Sequence, residues 1–197
     1  MSRYDGSDSD VYPDSEVLRN KADIRDQLAL DAFDADATAV RMLELVDNPL
    51  LGVFDLKHLC SLHHYLFQDV YDWAGKIRTV DISRGTSRFA NFGLIEGYLG
   101  SQLQGLAKEN FLRSISPDSF VVRLAHYMGE INAAHPFREG NGRVQRWFCA
   151  QLADQAGYFI DFEMVDQAKM YAVMIASFNG NEQPLVALLN EITAIVE

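Results

Sequence analysis

Between His135 and Arg146 the chain concentrates side chains that can move a proton and bind phosphate: His135-Pro136-Phe137-Arg138-Glu139-Gly140-Asn141-Gly142-Arg143-Val144-Gln145-Arg146. Pro136 keeps His135 out of helical geometry and ends the preceding helix. Gly140 and Gly142 permit backbone conformations and close approaches that a Cβ would block. The helix that starts next offers free N–H groups and the positive end of its dipole, a ready anion site. Arg143 and Arg146, three apart, share one face of that helix near its start. Two cations there oppose the dipole, a local cost that makes sense if a polyanion sits between them. Glu139 stands where a carboxylate can hold Mg²⁺ against phosphate oxygens. His135 is the proton acceptor. Singly, each has a bland role: a hydrogen-bonding histidine, a solvated first-turn acid, an ordinary Gly-Asn-Gly turn, surface arginines. Phe137 reads as a core anchor for the loop. Together the polar groups form a kit for phosphate transfer.

The elements that must position this segment read as mainly helical. From Arg25, Leu28, Phe33, Ala37, Val40, Leu43 and Leu45 recur at helical spacing up to Asn48-Pro49. Asp55 caps a second helix with Leu56, Leu59, Leu62 and Leu66 in one stripe. Lys76 to Ser83 alternates with the period of a strand, Arg84 to Ser87 supplies a turn, and Arg88-Phe89-Ala90 returns, which predicts an exposed β-hairpin over about 76–91. Helical spacing resumes over 94–107. Ser116-Pro117 opens a helix striped by Phe120, Leu124, Tyr127, Met128 and Ile131. Val144, Trp147, Phe148 and Leu152 mark the helix after the motif, closed by Gly157; two more candidates cover 165–177 and 184–196. The prediction is a flexible arm over residues 1–14 and one all-α domain over 15–197.

Composition bounds the partners. The 197 residues carry 17 basic and 28 acidic side chains, a net charge of −11, which argues against a broad grip on nucleic acid. A 48 % hydrophobic content suffices for a core. The two cysteines, Cys60 and Cys149, fit neither a disulfide scaffold nor a zinc site and read as buried free thiols. No apolar run approaches a membrane span, and the acidic N-terminus does not resemble a signal peptide, so a cytoplasmic protein is expected. Metal catalysis without nucleotide fits poorly: His63 and His64 are adjacent, no HExxH spacing occurs, and His58, His63, His64 and His126 read as surface or packing histidines.

His135 to Arg146 resembles the signature of Fic-domain proteins, His-Pro-Phe-x-(Asp/Glu)-Gly-Asn-Gly-Arg-x-x-Arg, at every specified position. Leu66 to Arg78 is similar to the family's approach to its target-binding flap, and Val17 to Asp26 to the start of small bacterial Fic toxins. The resemblance implies a helical Fic fold with one short β-hairpin flap, and transfer of AMP from ATP to a protein hydroxyl. By that resemblance His135 is the base. Glu139 holds Mg²⁺ against the α- and β-phosphates. Gly140, Asn141 and Gly142 cradle the phosphates, Arg143 and Arg146 bind the β- and γ-phosphates, and Tyr171 and Asn179 surround the nucleoside. On the flap, Thr79, Ile82 and Phe89 would align an extended target segment by main-chain pairing.

Many Fic proteins carry an inhibitory (Ser/Thr)-x-x-x-Glu-(Gly/Asn) motif. Here Glu96-Gly97, Glu109-Asn110 and Glu139-Gly140 follow Phe92, Gly105 and His135 four positions earlier, so none qualifies. The resemblance then implies a separate small antitoxin that supplies the glutamate to Arg146. It also implies type II topoisomerase ATPase subunits as targets. The rival readings are a secreted effector modifying host GTPases, a catalytically silent nucleotide-binding or interaction module, and a Doc-like phosphotransferase. In the last, Ala-Asn-Lys-Arg replaces the Gly-Asn-Gly-Arg found here at Gly140 to Arg143.

Overall fold

Four helices open on a side chain that satisfies free N–H groups: Asp26, Asp55, Ser116 and Asp166 accept from Ala29, His58, Ser119 and Lys169. Each such cap contributes about 1 kcal/mol. The structure is a computed structural model that describes residues 10–84 and 87–196. In chain order come α1 (Gln27–Asp47), α2 (Leu56–Phe67), β1 (Ser83–Arg84), β2 (Ser87–Arg88), α3 (Ile95–Lys108), α4 (Pro117–Ala134), α5 (Asn141–Ala156), β3 (Tyr158–Ile160), α6 (Gln167–Phe178), α7 (Gln183–Ile192) and β4 (Thr193–Ile195). Helix α4 is central and packs on α3, α5, α6 and α7, while α5 lies between α4 and α2. Phe120, Leu124, Phe137, Phe148 and Leu152 are fully buried at this junction. At roughly 1.5–3 kcal/mol for each such side chain, the junction is the firm floor of the motif loop.

The all-α reading holds, with one hairpin and one further strand pair. Two differences concern strands. The alternation over 76–83 does not make a long hairpin: only Ser83–Arg84 pairs with Ser87–Arg88. Arg78 instead bonds the carbonyls of His135 and Pro136, and Asp81 accepts from Asn91 and from the Phe92 N–H. The last predicted helix stops at Ile192, and β4 pairs antiparallel with β3, Tyr158 opposite Ile195.

Helix α1 turns only part of its predicted stripe inward: Leu45 is buried and Phe33 and Ala37 pack half-buried against the core. Leu28, Val40 and Leu43 are exposed, whereas Asp34 and Thr38 are buried with Leu30 and Leu45. The polar pair faces in because it binds an arginine of α5. The arm also differs where it can be seen. Residues 1–9 lie outside the described residues, but Tyr12 is buried in the core and Val11 bridges Leu18. Among the described residues no helix is long and apolar enough to cross a membrane. Cys149 is buried and Cys60 half-buried, both free.

Candidate active site

His135 closes α4 in the left-handed region, at φ 45° and ψ 63°. Its N–H still bonds the Ile131 carbonyl, so the residue ends the helix and turns the chain into the loop in one step. The loop is stapled by Asn141, whose Oδ1 accepts from the Phe137 N–H at 2.8 Å and whose Nδ2 donates to the Phe137 carbonyl at 2.7 Å. Both ends of that amide are thus used on the backbone, so Asn141 shapes the loop. Gly140 is required twice over. Its φ is 80°, and an added Cβ would meet the Phe67 ring at 2.2 Å. Helix α5 then begins with no side-chain cap on its first N–H groups. Those donors and the dipole face the same space as His135.

The two arginines of α5 have different neighbours. Arg143 donates to both carboxylate oxygens of Asp34 and, at 2.9 Å, to the Thr38 hydroxyl. Its guanidinium also lies over the Phe67 ring at 4.5 Å. The Tyr71 hydroxyl donates to the same Asp34. Arg146 is paired with no carboxylate among the described residues, and burial, then the charge of Arg143, lower its pKa. A cation held in that condition is stabilised by an incoming anion. The Glu139 carboxylate accepts from the Gly140 N–H at 2.9 Å.

These groups line one cavity of about 880 Å³. Its polar wall carries His135, Glu139, Gly140, Asn141, Gly142, Arg143 and Arg146. The opposite wall is apolar and comes from α6, with Met170, Tyr171, Met174, Ile175 and Phe178. Tyr171 is therefore at the cavity, as the spacing requires. Asn179 is not: it is exposed at the C-cap of α6, spending its N–H on carbonyls of its own last turn. Seven residues from Tyr171 is two helical turns, which brings Phe178 to the Tyr171 face, while the eighth residue is rotated away. On the flap, Ile82 and Phe89 line the cavity and Thr79 is exposed outside it. The Phe89 ring stacks on the His135 imidazole with centroids 3.8 Å apart.

Two contributors escape the sequence reading. His63 is fully buried and stacks on Phe137 at 3.9 Å, with the Gly75 N–H donating to its Nδ1 and its Nε2 against the Glu139 carbonyl. It is a packing histidine whose partners are the motif loop itself. Arg78 has a fully buried side chain that bonds the carbonyls of Ala134 and His135. The resemblance of Leu66 to Arg78 to the family's approach to its flap is the signal that singles out this stretch.

The Fic/DOC family model matches residues 53–153, more than half of the chain and all of the loop. The chain belongs to the Fic/DOC family. It is 44 % identical over 191 residues to the protein adenylyltransferase VbhT of Bartonella schoenbuchensis, covering 96 % of this chain and 40 % of that protein's length. It is 42 % identical to the "Probable protein adenylyltransferase Fic" of Salmonella typhimurium, over 81 % of this chain and 78 % of that one. The N-terminal Fic domain of a VirB-translocated Bep effector from Bartonella quintana, solved with bound ADP, superposes with a TM-score of 0.91 at 29 % identity, covering 95 % of each chain. Both of these curated relatives carry the name protein adenylyltransferase, the second as a probable one, and the chain spans less than half the length of the first. ADP in that Fic domain agrees with a cavity built for a nucleotide.

A magnesium ion fits this Fic site in one mode. No cluster of three or more His, Cys, Asp or Glu that could hold a metal occurs among the described residues. Mg²⁺ bound through one carboxylate, substrate phosphates and water needs no such cluster, and Glu139 beside the α5 N-terminus would be the carboxylate for that mode.

Proposed function

We propose that this chain transfers AMP from ATP to a hydroxyl side chain of a target protein. The observation that carries the reading is the convergence of His135, the uncapped α5 N-terminus and Arg146 on one wall of one cavity. The adenine ring lies against the apolar wall beside Tyr171, and the α5 N–H groups with Arg146 receive the phosphates. Glu139 holds Mg²⁺, which when bound neutralises phosphate charge. The target hydroxyl gives its proton to the His135 imidazole as its oxygen attacks the α-phosphorus. The bond from that phosphorus to the β-bridging oxygen breaks, and pyrophosphate leaves. Arg143, held by Asp34, contributes a fixed positive charge near the leaving phosphates. Ile82 and Phe89 on the flap steer the segment that carries the hydroxyl, with the edge at Ser83–Arg84 available for main-chain pairing.

Regulation by a separate antitoxin belongs to the same reading. Arg146, without a carboxylate partner among the described residues, is the group that such a protein's glutamate would engage, and Glu16, Gln27 and Asp31 line the same cavity. Targets of the type II topoisomerase class, reached in the cytoplasm, follow from the toxin resemblance. Modification of host GTPases by a translocated effector is favoured instead by the likeness to the Bep domain. The deciding experiment incubates the purified chain with α-labelled ATP, Mg²⁺ and either bacterial or eukaryotic lysate, beside a His135→Ala control. Label on a discrete band that vanishes in the variant supports AMP transfer, and the lysate that supplies the band separates the two target classes. ATP binding with no label from either lysate overturns the reading.

A further inference from the structure

Arg78 is a buried cation whose bonds reach both the flap and the motif loop. Its Nε donates to the His135 carbonyl at 2.8 Å and its Nη2 to the Ala134 carbonyl at 3.2 Å. On the other side Nη1 donates to the Val80 carbonyl at 2.6 Å and Nη2 to the Ala90 carbonyl. Val80 and Ala90 are the two roots of the flap. The backbone repeats the connection: the Arg78 N–H bonds the Pro136 carbonyl at 2.9 Å, and the Ala90 N–H bonds the Ala133 carbonyl at 3.1 Å.

Charge explains why an arginine stands here. The side chain is 0 % exposed, and the nearest carboxylate, Asp81, is 3.8 Å away. Burial draws the guanidinium pKa down to about 10, so it stays charged at neutral pH. Its compensation comes from Asp81 and from carbonyl dipoles, of which those of Ala134 and His135 form the negative end of α4. Helix α4 has no basic residue in its own last turn; the flap segment supplies one. The planar fork of arginine can serve four carbonyls at once, whereas a lysine ammonium is a point with three donors.

The same bonds bear on His135. A non-glycine residue at φ 45° keeps that conformation only when its surroundings over-determine it. Arg78 grips the carbonyls on both sides of the His135 α-carbon, and Phe89, next to the root residue Ala90, stacks on the imidazole. We propose that Arg78 is a positioning residue that couples the flap to His135, so that a target segment seated on the flap and the imidazole that takes its proton are held as one unit. This rests on the reading of His135 as the base and goes beyond it.

The test compares wild type with Arg78→Lys, and with Leu188→Ala as a destabilised control in α7, away from the cavity. Three readouts are taken: affinity for a non-hydrolysable ATP analogue, rate of AMP transfer into the lysate band, and amide exchange by mass spectrometry. The expected Arg78→Lys protein binds the analogue within about twofold of wild type and transfers AMP at least about 30-fold more slowly. Its exchange accelerates together in 76–91 and 131–138 and nowhere else. Transfer at the wild-type rate overturns the proposal. So does a loss of analogue binding and transfer in step with melting temperature, as in Leu188→Ala, because that is a merely structural role. If Arg78→Lys does not fold, exchange in the wild type decides: one common opening free energy for the two segments supports coupling, and two separate ones overturn it. Failure of the wild type to label any band counts against the AMP-transfer reading, while the exchange data still judge Arg78.

Discussion

Asp34 and Arg143, 109 positions apart in the chain, meet as an ion pair in which the carboxylate is nearly buried and receives both guanidinium Nη groups. The pair ties α1, which otherwise packs chiefly on α2, to the first turn of α5. Removing one partner strands a charge in a poorly solvated place, at a cost of about 3–5 kcal/mol. Asp34→Asn and Arg143→Met are each expected to destabilise, and the double variant less than the sum. Urea denaturation of the four proteins should give a coupling of at least about 1 kcal/mol. Additive losses would mean the pair is not a unit.

Gly140 tests whether the loop conformation or mere loop flexibility matters. Gly140→Ala strains a backbone at φ 80° and drives a methyl into the Phe67 ring. The expected loss is about 1–3 kcal/mol in stability, with weakened binding of an ATP analogue, read by thermal melting and titration. Adding Phe67→Leu relieves the clash and not the backbone strain, so the double variant should recover only part of the binding. Full recovery would show that space alone was the constraint.

On α6 the two nucleoside candidates separate. Tyr171 lines the cavity and Phe178 shares its face, whereas Asn179 is an exposed helix cap. Tyr171→Ala and Phe178→Ala should each weaken analogue binding by about tenfold, since each removes an apolar surface from the base. Asn179→Ala should leave the affinity within about twofold. A large effect of Asn179→Ala would mean that α6 extends or rotates when nucleotide arrives.

What could be read from the sequence was what lies close along it. His135 to Arg146 is contiguous, so the loop, its helix N-terminus and the cation face were visible as spacing. Gly157, Asn48 and Ser116-Pro117 marked helix ends for the same reason. Asp34 and Thr38 lie off the apolar stripe read over α1, and the α5 guanidinium that draws them inward is 109 and 105 residues away. For Arg78, and for the particular partners of the packing histidine His63, the grounds are similar: the bonded loop residues sit 57 and 76 positions downstream. Long-range polar bonds leave no periodic trace.

His63 gives the protein a dependence on pH that its neighbours make readable. The Gly75 N–H donates to Nδ1, so Nε2 carries the proton and donates to the Glu139 carbonyl, and the ring is neutral. A second proton would set donor against donor at Gly75. Burial first, opposed by the Glu139 carbonyl bond, lowers the pKa to about 3, against about 6.5 for an ordinary histidine. A depressed folded pKa means the stabilisation is complete above about pH 6.5 and is lost as the pH falls toward 3, by up to about 1.4 kcal/mol per unit. His63→Gln, which cannot titrate, should be less stable than wild type at about pH 7 and lose less on going to about pH 5. The carboxylates and the other histidines are common to both proteins, so the difference between the two curves isolates His63. Urea denaturation across that range makes the comparison. Parallel curves would mean that the imidazole already accommodates a proton in the folded protein, and that it does not hold Glu139 as a neutral donor.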